Sequence, residues 1–191
     1  MTSTSTRTDV GRKSTRDKES ANNVGAAGPI RPLKNKLTIK GTSLGFHIFA
    51  EGARNLYRMP DVEFIDNFRS GIEPEYVNWI AAHMGTSQKN LQDYLQLSST
   101  TLERKKNKLV NLDIYQSERL AGLKRLIDQV QAMVEDSGDP TDFDAAEWLG
   151  RWIEMPLPAL GGKKPADYLS TVSGQKLLSN LLNQMQSGAY A

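Results

Sequence analysis

Leu120, Leu123, Ile127, Val130 and Val134 recur at alternating spacings of three and four residues. That period places all five on one side of an α-helix and predicts a helix over about 116–136. A helix of this length spans about 30 Å. Its apolar stripe has to be covered by other parts of the same chain or by a partner.

The segments around the stripe read as shorter helices. Pro60-Asp61 opens one that carries Val62, Phe64, Ile65 and Phe68, which we place together on one side, and Ser70-Gly71 stops it. Pro74 starts the next, with Val77, Ile80, Ala81 and Met84 along one face and Gly85 as its stop. Thr86-Ser87 caps a third, with Leu91, Tyr94 and Leu95 as its apolar face, and Ser98 has the right chemistry to cap a fourth. Between Leu37 and Met59 a strand or loop followed by a helix near 50–58 is expected. After the stripe, Gly138-Asp139-Pro140 marks a break. A helix with Phe143, Ala146, Leu149, Trp152 and Ile153 follows, then a Pro/Gly-rich turn and two last helices near 166–170 and 174–186. Strand signal is slight and no internal repeat is present, so the expected class is mainly α.

Residues 1–36 hold almost no large apolar side chain before Ile30 and are rich in Ser, Thr, Asn and charge. Such a segment cannot bury enough surface to offset its ordering entropy, and a disordered basic arm is expected. The net charge of +2 conceals an asymmetry: residues 1–110 carry 17 Lys/Arg against 11 Asp/Glu, and residues 111–191 carry 7 against 11. The basic half is suited to a polyanion such as DNA, although a solvated tail accounts for much of the excess.

With no cysteine there is no disulfide, no thiolate nucleophile and no Cys-containing metal site. The composition fits a reducing cytoplasm, which is the expected location. His47 and His83 are isolated, with no metal-ligand spacing beside them. No apolar run approaches the ~18 residues of a membrane span. No nucleophile–base pair or complete phosphate loop is present either, so neither a catalytic nor a metal site, nor a cofactor, is expected.

Residues 87–106 have the layout of a helix-turn-helix: two short helices, a tight turn, and leucines that could pack inward. The second helix begins with small polar residues, Ser99, Thr100 and Thr101, which allow close approach to a phosphate or a base edge. Arg104, Lys105, Lys106 and Lys108 follow, within reach of phosphates or guanine edges. A helical hairpin with a solvated basic face accounts for the same residues.

The chain closes with Trp152-Ile153-x-x-Pro156-x-x-Ala159-Leu160-Gly161-Gly162-x-x-Pro165, then Asp167, Leu169, Thr171 and Gly174, then Leu178, Leu181 and Leu182, and Gly188-x-Tyr190. This spacing resembles the toxin-binding domain of the Xre/MbcA/ParS antitoxins, with Ile153 where leucine is usual. The run Leu97–Lys106 and the Ser-Glu-Arg-Leu at 117–120 are similar to that family's recognition segment and to the opening of its long helix. The resemblance covers about residues 60–191.

The resemblance implies a helix-turn-helix bundle joined by a long helix to a small toxin-binding domain. The corresponding segments are 1–36 for the arm, 37–110 for the DNA-binding part, 111–138 for the connecting or dimerising helix, and 139–191 for the toxin-binding part. It implies three partners: a RES-domain toxin that attacks NAD, operator DNA, and a second copy of the chain. Toxin contacts are expected at Lys163, Lys164, Gln184, Ser187, Gly188, Ala189, Tyr190 and Ala191, with the C-terminal end lying over the toxin's NAD pocket. The alternative is a helix-turn-helix regulator whose C-terminal helices only dimerise.

Overall fold

The computed structural model describes residues 1–2, 54–138 and 140–188. The expected arm at 1–36 and the segment before Arg54 lie outside them, apart from the first two residues. Seven α-helices are found among the described residues: α1 Asp61–Phe68, α2 Glu75–His83, α3 Gln88–Tyr94, α4 Ser99–Asn107, α5 Ile114–Ser137, α6 Ala145–Trp152 and α7 Val172–Gln186. Two 3-10 turns, Pro158–Leu160 and Pro165–Tyr168, lie between α6 and α7. No strand occurs among the described residues, only an isolated bridge between Leu157 and Lys163. None of these helices is long and apolar enough to cross a membrane.

The helix starts follow their caps. Ser87, Ser98, Asp144 and Thr171 each accept a hydrogen bond from the third residue of the helix that follows, satisfying an N–H that has no partner inside the helix. At α5 the arrangement is reciprocal: Asp113 accepts from the Gln116 N–H, and the Gln116 side chain accepts from the Asp113 N–H. This box starts the long helix at Ile114, two residues before the stripe alone would place it.

α5 is the element on which the others converge. The expected stripe is confirmed at Leu120, Leu123, Ile127 and Val130, all buried, while Val134 is half-buried. Ala121, Leu126 and Ala132 are buried as well, so burial extends well around the helix. α1, α6 and α7 all pack against it. One apolar cluster runs from Leu56 through Leu91, Leu102 and Trp152 to Leu182. The fold is thus a single core built around one helix.

Two buried glutamines lock α7 to this core. Gln129 on α5 donates to the Ser179 carbonyl at 2.9 Å and to Asn183 Oδ1 at 2.7 Å. Gln175 on α7 donates to the carbonyls of Arg119 and Leu169, each at 2.9 Å. Gly122 makes room for this contact, because a Cβ there would stand 1.9 Å from Gln175 Oε1. At the other interface a Cβ on Gly150 would meet the Met84 carbonyl oxygen at 2.1 Å, so α6 reaches the end of α2 only as glycine.

Three expectations change. Over Arg54–Arg58, the described part of the expected helix at 50–58, the chain turns instead of forming a helix. Asn55 Oδ1 accepts the N–H groups of Tyr57 and Arg58, and the Leu56 N–H donates to Asp128 at 2.8 Å, so the backbone is committed elsewhere. In α1 the inward residues are Phe64, Asn67 and Phe68, whereas Val62 and Ile65 are exposed. Asn67 tolerates burial by donating to the Glu63 carbonyl at 2.7 Å. The expected helix at 166–170 is a four-residue 3-10 turn, because Thr171 is already extended as the cap of α7.

Asp128 is the principal buried charge of α5. It faces Lys124 one turn earlier, and their side chains are only 10% and 12% exposed. Burial pushes the Asp128 carboxyl up, and the Lys124 ammonium opposes that shift. Asp128→Ala would leave Lys124 with no counter-charge and the Leu56 N–H with no acceptor. We expect a loss of about 3 kcal/mol in a denaturant titration. A loss below about 1 kcal/mol would show that water reaches the pair.

Candidate functional site

Two surfaces carry the residues singled out in the sequence. The first is α3–turn–α4. Leu91, Leu95, Leu97 and Leu102 are buried and hold the pair together. Gln96 sits at the turn with φ +49°, a left-handed conformation usually left to glycine or asparagine. Its carbonyl accepts from Arg119 of α5 at 3.4 Å, which braces the turn against the long helix.

Ser99 and Thr100 are exposed on the first turn of α4, and Thr101 is half-buried. The Thr101 N–H is already used, donating to Ser98 Oγ at 3.3 Å. Arg104 and Lys108 are exposed. Lys105 instead donates to the Asn111 carbonyl at 2.9 Å, and Lys106 pairs with Glu103 at 3.3 Å. The four expected cations therefore fall into two pairs, one facing solvent and one engaged within the fold.

The second surface is the C-terminal module. Gly161 and Gly162 have φ of +65° and +81°, with open space beside both, so backbone conformation rather than crowding calls for glycine. They close a tight loop in which the Leu157 N–H donates to the Lys163 carbonyl at 3.0 Å and the Gly162 N–H to the Leu157 carbonyl at 2.9 Å. The Ala166 N–H donates to the Ile153 carbonyl at 3.0 Å, fastening this loop to the end of α6. Trp152, Leu160 and Leu169 are buried, as core anchors should be.

Lys163 and Lys164 are exposed on that loop. Lys164 Nζ pairs with Glu154 at 2.9 Å. The other carboxylate oxygen of Glu154 accepts the Tyr94 hydroxyl of α3. Gln184, Ser187 and Gly188 form a separate group at the far end of α7, about 20 Å along the helix axis from its start. Ser187 Oγ donates to the Gln184 carbonyl at 3.1 Å, and Gly188 turns the chain with φ +71°. Ala189, Tyr190 and Ala191 lie outside the described residues.

Tyr94–Glu154–Lys164 was not foreseen from the sequence. Its members stand 60 and 10 residues apart, and no local pattern pairs them. The Tyr94 hydroxyl and Lys164 hold the Glu154 carboxyl below its ordinary value, while burial and Glu154 push the Tyr94 phenol up to about 12. A carboxylate lowered in the folded state stabilises it above its unfolded pKa and loses that contribution as pH falls. The hydrogen bond also requires a neutral phenol, so its contribution is lost again as pH rises through about 12.

Comparison with known proteins identifies the class. Residues 129–188 match the family described as the antitoxin Xre/MbcA/ParS C-terminal toxin-binding domain. The chain is also 40% identical over 136 residues to a Prs ADP-ribosylating antitoxin of Sphingobium sp. (strain YBL2), an alignment covering 71% of this chain and 86% of the relative. The chain belongs to the Xre/MbcA/ParS antitoxin family. The match begins inside α5, so the long helix belongs in part to the toxin-binding module.

Glu154→Gln tests the link between the two surfaces. We expect a loss of about 1 kcal/mol near neutral pH, a small value because the group is largely solvated. The difference from the wild type should shrink as pH falls below the ordinary carboxylate range and vanish once the lowered Glu154 carboxyl is protonated. Thermal melts from pH 3 to 8 measure it, and a difference independent of pH would assign the effect to packing.

Proposed function

We propose that this chain neutralises a cognate RES-domain toxin by covering the toxin's NAD pocket with its C-terminal end, and represses its own operon through α3–α4. The observation that carries the reading is the 40% identity over 136 residues to an antitoxin whose name ties it to ADP-ribosylation. ADP-ribosyl transfer takes its group from NAD, so a toxin of that class needs an NAD pocket that a protein segment can obstruct. Support also comes from the end of α7, where Gln184, Ser187 and Gly188 are exposed within the match to the toxin-binding domain. In this reading the antitoxin acts by binding and carries out no catalysis itself.

For DNA, the exposed residues of α4 supply the chemistry. Ser99 and Thr100 stand at the helix N-terminus, where N–H groups favour a phosphate. Arg104 on the same helix and Lys108 at its C-terminal cap are exposed. A homodimer would present two copies of α4 to two half-sites. Lys105 and Lys106, already engaged, act mainly by positioning the end of α4. The division into DNA-binding residues 37–110, a long helix at 111–138 and a toxin-binding part at 139–191 is then one of role, within a shared core.

Two measurements test this. Deleting Gly188–Ala191 should abolish protection against the co-expressed toxin while leaving promoter binding intact. Unchanged survival and NAD level would reject the obstruction mechanism. Arg104→Ala and Lys108→Ala should each weaken operator binding and make its salt dependence shallower by about one unit of log–log slope. A gel shift in which Lys105→Ala costs more than either would reverse the assignment within α4.

A further inference from the structure

We propose that the toxin also anchors beside the end of α7, in an apolar groove with acidic neighbours, which takes a basic-flanked segment with a large apolar side chain at its centre. This rests on the antitoxin reading above and extends the contact proposed at Gln184, Ser187 and Gly188 to residues that reading does not use. The groove has a volume of about 480 Å³ and lies between the end of α5, the start of α6 and the end of α7. Met133, Val134, Phe143, Trp148 and Met185 form its wall, all half-buried.

Three observations identify the occupant. First, every lining residue, from Val130 to Gln186, falls inside the 129–188 match to a toxin-binding domain. Second, the wall combines two methionines with an indole and a phenyl ring. Methionine adapts to an incoming shape, and partly exposed aromatic rings supply area with little entropy loss, so the groove suits one large apolar side chain. Third, the charge around it is net negative. Five described acids stand next to its lining residues along the chain, against two arginines. Glu135 and Asp136 adjoin Val134, Asp142 and Asp144 flank Phe143, and Glu147 precedes Trp148. Arg58 and Arg151 neutralise part of this charge, while Asp142 is exposed at a positive φ of 62°. A partner segment with Lys or Arg on either side of its anchor complements such a rim, and a neutral or acidic one does not.

Another groove, beside Asp61, Glu118, Arg125 and Lys176, carries balanced charge and lies partly outside the family match. It does not select a partner in this way.

The test measures binding of the full chain to the toxin encoded in the same operon, by titration at two salt concentrations. Met185→Lys places a charge in the wall and should weaken binding at least tenfold, with the melting temperature kept as a control. Asp142→Asn combined with Glu135→Gln leaves the wall intact. It should slow association severalfold at low salt and have little effect at high salt. Equal affinity for the wild type and both variants would overturn the groove while leaving the antitoxin reading in place. A wild-type chain with no affinity for that toxin would overturn both. If Met185→Lys changed only the self-association of the chain, the groove would be a contact between copies and the inference would fail. If Met185→Lys lowered the melting temperature, the rim variant alone would decide, and unchanged association at low salt would overturn the proposal.

Discussion

Everything in this fold depends on burying α5 over more than one face. An amphipathic helix with one stripe needs a single partner, but here Ala121, Leu126 and Ala132 join the stripe in the core. The two alanines let neighbouring helices approach closely, and Gly122 extends the same logic to the point where Gln175 enters. The cost is that polar groups are carried inside. Gln129, Gln175 and Asp128 each satisfy it with specific partners, and those hydrogen bonds fix where α7 and the segment before α1 must lie.

This explains which parts of the fold were legible in the sequence. Stripe, stops and caps are local signals, and they located α2, α3, α4 and α7 to within about two residues. What escaped were contacts between distant segments. The glutamines of α5 and α7 look like surface residues in a linear reading, since only the partner helix makes them buried. In α1 the placement failed because an apolar type was weighed above its angular position. Val62 and Ile65 fall outside the arc set by Phe64 and Phe68, and Asn67 takes the inward place.

The candidate site shows the same division. The double glycine at 161–162 is a feature visible in the chain that marks a backbone requirement, because a left-handed conformation strongly favours glycine. Counting cations along α4 was less informative. Charge type alone gave four equivalent residues, but whether each faces solvent depends on Glu103 and the Asn111 carbonyl, which turn Lys106 and Lys105 inward. Glu135, Asp136, Asp142, Asp144 and Glu147 were legible only as part of a charge asymmetry until the fold put their chain neighbours into the lining of an apolar groove.

The shared core also bears on how the two proposed roles relate. Tyr94 belongs to α3, Glu154 follows α6 and Lys164 stands on the glycine loop, so a single carboxylate joins the helix pair to the toxin-binding module. If a toxin carboxylate recruited Lys164, Glu154 would lose a cation and keep only the Tyr94 hydroxyl. The exchange replaces one solvated ion pair with another, and such pairs differ by about 1 kcal/mol at most. A coupling of that size shifts an equilibrium severalfold and does not switch it. Toxin binding at Lys164 would therefore tune the α3–α4 surface, and any stronger effect on DNA binding has to come from how the complex presents two copies of α4.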